Sequence, residues 1–282
     1  MQVFKYELPR FVVKVGEVNS ELYLEHANKV SKEVKVRSTI YTKYIKRVLD
    51  IVISLFVLLL TLPINLVIAI ITLIDVGVPI FFCQERTGKN QKSFVLIKFR
   101  NMNNKTDENG DLLPAGSRVT KMGRILRKTS LDELLNFVSI LKGDMSIIGP
   151  RPLPVEYTQW MSERHKHRFD VRPGLECPSI NTFERDLTWH DRFENDVLYA
   201  ENCSLLLDIK LCLKMVHLVL FPSKHRERGN QGFFVGYDEN GDAIKGLYMG
   251  YGNGKNEKEA WHNIPEKTVI EFKKKYGKQF FE

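Results

Sequence analysis

Between Asp50 and Asp75 the chain carries no charge: residues 51 to 74 read IVISLFVLLLTLPINLVIAIITLI. As a straight helix this run is roughly 36 Å long at ~1.5 Å per residue, enough to cross a bilayer. A buried core helix is the alternative, but few soluble helices are apolar on every face over this length. Pro63 stands at the midpoint, with Asn65 close behind. Proline removes a backbone donor and clashes with the preceding turn, so the helix is expected to break or kink there. Lys43, Lys46 and Arg47 precede the run, and Arg86, Lys89, Lys92, Lys98 and Arg100 follow it. Positive charge marks cytoplasmic flanks, and both flanks are positive. A re-entrant helix that turns at Pro63 and returns to one face satisfies both ends, whereas a single crossing satisfies only one.

A second apolar stretch, SLLLDIKLCLKMVHLVLF at 204–221, carries Lys210, Lys214 and His217 as one narrow polar stripe. Two readings stand: an interfacial amphipathic helix with its lysines among head groups, or a core helix with a solvated edge. Residues 78–102, VPIFFCQERTGKNQKSFVLIKFRNM, read as two strands about the polar turn TGKN, which puts Lys98 and Arg100 on one face. A polar loop (103–117) and a basic helix, VTKMGRILRK, come next. Before residue 40, the run RFVVKV reads as a short strand and SELYLEHANKVSKEV as a helix. Beyond 223, FFVGYDENGDAIKGLYM reads as a β-hairpin with its turn at Asn240–Gly241, and a short charged helix closes the sequence. The pattern predicts an α+β, mainly helical chain in four parts. These are an N-terminal extension (1–40), the membrane helix (41–76), a catalytic domain (77–222) and an appended C-terminal module (223–282).

Charge narrows the partner. The chain has 42 Lys+Arg against 34 Asp+Glu, a net charge of +8, which suits an anionic partner: nucleic acid, a phosphorylated metabolite or an acidic membrane. The basic residues are spread out and no recognition motif accompanies them, so nucleic acid is not expected. Cys83, Cys177, Cys203 and Cys212 form no C-x-x-C pair and have no matching His cluster, which predicts reduced thiols rather than a zinc site or disulfide framework. The first ten residues lack a signal-peptide core, so membrane contact is expected from the internal segment.

The chemistry concentrates in SLDELLNFVSILKGDMSIIGPRP, residues 130–152. Ser130 and Glu133 have capping-box spacing, which by itself accounts for Glu133. Asp132 then falls in the first turn of a helix, where a carboxylate stays ionised and a phosphate is favoured nearby. An ionised aspartate beside an anion site is a candidate phosphoryl-accepting nucleophile. Arg127 and Lys128 lie just upstream. Arg151 is set between Pro150 and Pro152, whose rings restrict the backbone around a potential bidentate phosphate ligand.

Four segments together, YIKRVLDIVISLFVLLLTLPI, QERTGKNQKSFVLIKFRNM, GRILRKTSLDELLNFVSILKGDMSIIGPRPLPVEY and RFDVRPGL, resemble the bacterial sugar transferases, the monotopic phosphoglycosyl transferases. The resemblance runs from about residue 40 to 220. It implies a monotopic enzyme on the cytoplasmic face of the bacterial inner membrane, anchored by a helix broken at Pro63. The enzyme would move a sugar-1-phosphate from a UDP-sugar to undecaprenyl phosphate and release UMP, with Mg²⁺ as cofactor. Asp132 would be nucleophile and metal ligand, and Glu133 its partner in proton removal or metal organisation. Lys98, Arg127 and Arg151 would hold phosphates. The lipid bilayer and a second copy of the chain join the expected partners.

The sequence departs from the family pattern after RPG, where it reads LECPSINTFERD (175–186). Nucleotide-sugar contacts are expected in that loop, with Glu176 and Arg185 as candidate replacements. Two other functions remain open: a Mg²⁺-dependent nucleotide-sugar hydrolase using the same aspartate, and a catalytically silent membrane scaffold.

Overall fold

In a computed structural model that describes residues 8–106, 115–181, 188–220, 232–247, 261 and 263–277, the run RFVVKV opens a helix rather than a strand. This helix, α1 (Arg10–Val30), buries Val12, Val15, Asn19, Tyr23 and Ala27. Their three- and four-residue spacing over 21 residues outweighs the strand preference of a short β-branched run. Gly16 lets α1 approach closely: a Cβ there would lie 2.4 Å from the ring of Trp160.

A π-helical turn, Tyr41–Ile45, leads into α2 (Lys46–Val76), which carries Pro63 inside it. The helix is continuous on both sides of the proline, so the expected break does not interrupt helical structure. The polar groups around Pro63 are met locally: Thr61 Oγ1 donates to the Val57 carbonyl (2.7 Å), and Asn65 Nδ2 donates to Thr61 Oγ1 (3.2 Å). Of α2, Asp50, Ser54, Ile68 and Thr72 are buried, and 11% of its most apolar stretch is covered. A core helix would be covered on most faces; this one is long and apolar enough to cross a bilayer and is largely bare.

Both ends of α2 are held by the same body. Near its start, Arg47 donates to the Ile140 and Leu141 carbonyls (2.5 and 2.8 Å). Asp50 accepts from Ser146 Oγ and the Ile147 N–H (3.1 and 3.0 Å). Near its end, Arg100 donates to the Val76 carbonyl, Asp75 accepts from Thr120 Oγ1 (2.5 Å), and Ile68 joins a small core with Phe99 and Leu126.

β1 (Phe81–Thr87) and β2 (Ser93–Phe99) pair antiparallel about a short turn, as the sequence predicts. α3 (Ala115–Arg118), α4 (Lys121–Thr129) and α5 (Asn136–Lys142) follow, and residues 107–114 of the expected polar loop lie outside the described residues. β3 (Ser146–Ile148) pairs in parallel with β4 (Gly174–Glu176), with α6 (Glu163–Lys166) between them. α7 (Trp189–Asn202) starts at a capping box formed by Thr188 and Asp191.

α8 (Leu205–Leu220) does not carry one solvated polar stripe. Lys214 is buried and donates to the Ser179 carbonyl, and Asp208 is buried at the helix start, while Leu206, Ile209, Leu213 and Val216 are exposed along one side. An apolar face thus points outward. Asp208 accepts from Lys46 Nζ (2.6 Å) and from Tyr199 Oη (2.6 Å), joining the base of α2 to α8.

The segments on either side of the central body share its largest core. Val12 and Val15 of α1 meet Trp160, Phe193 and Phe234, and Phe272 of α9 (Glu266–Tyr276) closes the cluster. The hairpin forms where expected, with backbone bridges Phe233–Leu247 and Tyr237–Ala243 around Asn240–Gly241. Asn19 ties the three parts together: it donates to the Tyr237 carbonyl (2.7 Å) and accepts from Thr268 Oγ1 (2.7 Å).

Candidate active site

β2 buries Phe94 and Leu96 in one core and Phe99, on its other face, in a second, and the strand delivers Lys98 to a cavity of about 720 Å³. Arg100, two residues on, lines the same cavity.

The expected capping box at Ser130 is absent. Ser130 has φ 58° and ψ 18°, a left-handed conformation that ends α4, and its N–H bonds back to the Leu126 and Arg127 carbonyls. An N-cap needs extended geometry, so the chain instead enters a 3₁₀ turn, Leu131–Glu133, before α5 begins. The turn buries Asp132, which is 4% exposed, and frees the Glu133 carboxylate for other partners. Glu133 Oε1 accepts from Lys98 Nζ (2.7 Å) and from Arg151 Nη2 (2.8 Å).

Arg151 is fixed from several sides besides its two prolines. Its Nη1 donates to the Leu175 carbonyl and to Glu176 Oε2, both at 3.3 Å. Its own carbonyl accepts from Arg168 Nη2 (2.8 Å), and Arg168 forms a buried ion pair with Asp196 (2.8 Å). The charges tune one another. Glu133 above all pushes the Arg151 guanidinium further up, whereas burial, then Arg151, pull the Lys98 ammonium down despite Glu133. Lys98 is therefore the more readily deprotonated of the two cations.

Asp132 is positioned by a residue that the pattern did not single out. Asn101 Nδ2 donates to Asp132 Oδ2 (2.8 Å), while Asn101 Oδ1 accepts from Arg127 Nε (3.1 Å). The amide relays the orientation of Arg127 to the carboxylate. Arg127 Nη2 also reaches Met102 Sδ (3.0 Å). Asn101 lies just past the end of β2, where period-2 alternation stops carrying information.

Lys98, Arg127, Asp132, Glu133 and Arg151 all line the one cavity. Pro63 lies inside α2, away from it. Glu176 reaches the edge of the site through Arg151; Arg185 lies outside the described residues. Among the described residues, no group of three or more His, Cys, Asp or Glu gathers as a metal cage. A buried carboxylate amid fixed cations is suited to receiving a phosphoryl group and neutralising the charge around it.

Sequence comparisons relate the chain to known proteins. A family model described as bacterial sugar transferase matches residues 41–222. The uncharacterized sugar transferase EpsL of Bacillus subtilis (strain 168) is 39% identical over 176 residues, 62% of this chain and 87% of that protein. A UDP-N-acetylgalactosamine-undecaprenyl-phosphate N-acetylgalactosaminephosphotransferase of Aeromonas hydrophila is 32% identical over 191 residues, 65% of this chain and 45% of the relative. A UDP-glucose:undecaprenyl-phosphate glucose-1-phosphate transferase of Klebsiella pneumoniae is 36% identical over 178 residues, 59% of this chain and 38% of the relative. The chain thus spans most of the first relative and less than half of the other two. With the match covering α2, both sheets and every charged residue described around Asp132, the chain belongs to the bacterial sugar transferase family.

Proposed function

We propose that this protein transfers a sugar-1-phosphate from a UDP-sugar to undecaprenyl phosphate at the cytoplasmic face of the bacterial inner membrane. The observation that carries the reading is a buried Asp132, oriented by Asn101 and Arg127, beside the Lys98–Glu133–Arg151 cluster in a cavity of nucleotide-sugar size.

An Asp132 carboxylate oxygen attacks the sugar-bearing phosphorus. A P–O bond to it forms as the bond to the bridging oxygen breaks, and UMP departs with that electron pair. A phosphate oxygen of undecaprenyl phosphate then attacks the same phosphorus and displaces the Asp132 carboxylate, giving the lipid-linked diphosphosugar. Arg127 and Arg151 hold the phosphates and offset the charge on their oxygens. Glu133, neutralised by two cations, keeps Lys98 and Arg151 in place. Mg²⁺ characteristically takes one or two carboxylates plus substrate phosphates, so Asp132 with the donor's phosphates fits it without a protein cage; when bound it supplies further charge neutralisation.

The lipid acceptor calls for a site at the bilayer surface. We read α2 as dipping into one leaflet and returning, supported by its bare middle, its two ends held by one body and its positive flanks. The outward apolar face of α8, tied to α2 at Asp208, lies in the interface beside it.

The test is UMP release from a panel of UDP-sugars, with and without undecaprenyl phosphate, for wild type and Asp132→Asn. Lipid-dependent release that vanishes in the variant is expected. Release that survives the substitution removes Asp132 as nucleophile. Release without lipid that yields free sugar phosphate identifies a hydrolase.

A further inference from the structure

The family match begins at residue 41 and ends at residue 222, yet the cavity draws on both sides of it: Leu8 comes from before the match, and Gly232 and Phe233 from after it. Two groups stand out in the lining. One is the hydrogen-bonded set around Asp132 and Glu133. The other is apolar: Leu8, Leu153, Tyr157 and Trp189 belong to one buried cluster, and Phe233 is packed against it.

The apolar group is rigidly built. Phe233 exchanges both backbone hydrogen bonds with Leu247 (2.8 Å each), and the next N–H, of Phe234, donates to Tyr157 Oη (3.2 Å). Gly232 has φ +66°, and a Cβ there would sit 2.6 Å from the Leu247 carbonyl oxygen, so this approach to the cavity needs glycine. The Tyr157 and Trp189 rings meet edge to face, 5.7 Å apart. Trp189 is 5% exposed, and its indole N–H has no hydrogen-bond partner among the described residues. A buried donor left unfilled is costly, and the side chain that carries it lines a ligand-sized space.

We propose that Phe233 and Trp189 form the nucleobase subsite of the donor: the Phe233 ring stacks on the pyrimidine and the Trp189 N–H donates to a ring carbonyl. This rests on the nucleotide-sugar reading above. A planar base with a π-face and carbonyl acceptors suits an aromatic wall offering one donor. A sugar ring would require several polar partners, and the Tyr157 hydroxyl already accepts from Phe234. Phe233, outside the family match, thereby takes on donor binding beside Trp189, inside it.

Equilibrium binding of UMP and of inorganic pyrophosphate to the detergent-solubilised full chain tests this without turnover. The variants are Phe233→Ala, the better-packed Phe233→Leu, and Trp189→Phe, which keeps a ring but removes the N–H. UMP should weaken about tenfold in Phe233→Ala, in line with the loss of one base–aromatic stack, and pyrophosphate should bind as in wild type. Trp189→Phe should weaken UMP alone. Unchanged UMP affinity in both Phe233 variants, or equal weakening of UMP and pyrophosphate, overturns the subsite. Altered donor-sugar preference with unchanged UMP affinity also overturns it, and assigns the wall to the sugar. A wild type that binds UMP but transfers nothing fails the transferase reading while leaving the subsite standing.

Discussion

Asp132 has its orientation set through Asn101, which accepts from Arg127 on one side and donates to the carboxylate on the other. Asn101→Ala removes both hydrogen bonds and with them the contact through which Arg127 orients the carboxylate. Each contact involves a charged group and is worth roughly 1.5–3 kcal/mol to stability, and misplacement of a reacting group lowers the rate as well. The first half-reaction, UMP release in a single turnover without lipid, should slow at least about tenfold. The melting temperature should fall as well, because a buried carboxylate loses a donor. A variant with wild-type single-turnover rate would show that Asp132 is held without Asn101. Arg127, Asp132, Glu133 and Arg151 were legible because they lie in one contiguous motif, and Lys98 through the resemblance carried by its own strand; the five converge on one cavity. Asn101 was not, since a polar residue after a strand end has no periodic signature. The capping box failed for a local reason: Ser130 and Glu133 have the right spacing, but a left-handed Ser130 closes the previous helix instead.

At the scale of elements, hydrophobic pattern identified α2, the β1–β2 hairpin and the Asn240–Gly241 hairpin. It misassigned RFVVKV because six residues cannot reveal a burial period that extends over 21. The polar stripe of α8 misled in another way. Lys214 is an interior group that finds the Ser179 carbonyl, which only the tertiary structure supplies. The re-entrant reading of α2 makes a prediction about sidedness. Cysteine placed at Lys43 or at Lys92 should be reached by a membrane-impermeant thiol reagent in inverted vesicles and in neither case from the outside of intact cells. Cys83, Cys177 and Cys203 are buried and give a low background, and Cys212 is partly covered. Labelling of one position from outside would establish a single crossing, and the positive-flank argument would fail with it.

For the molecule as a whole, His165 joins what lies inside the family match to what lies outside it. Its Nδ1 meets Tyr237 Oη at 2.8 Å and its Nε2 meets Glu194 Oε1 at 2.9 Å, while the Ser162 N–H donates to the same tyrosine oxygen (2.8 Å). The chain is self-consistent for a neutral imidazole: Nε2–H donates to Glu194, and the Tyr237 hydroxyl donates to Nδ1. Protonation places a second N–H against the Tyr237 hydroxyl and breaks this arrangement. The titratable and charged groups facing the ring are Glu194, Arg164 and His190. Burial pulls the imidazole below its ordinary value, outweighing the upward effect of Glu194. Burial alone would raise the Glu194 carboxyl, but hydrogen bonds from Arg164 and His165 outweigh that and hold it low, so Glu194 stays ionised through the range in question. A histidine depressed in the folded state binds fewer protons there than in the unfolded chain. Its stabilising contribution is present above the ordinary value of about 6.5 and is lost as pH falls through the lower, folded value. The melting temperature should therefore fall between pH 7.5 and pH 5.5, and the fall should be smaller in His165→Gln, which cannot protonate. An equal fall in both proteins would place the acid sensitivity elsewhere. If Phe233 forms part of the donor subsite, UMP affinity should weaken over the same interval, because Tyr237 and Phe233 belong to one hairpin and loosening one end displaces the other.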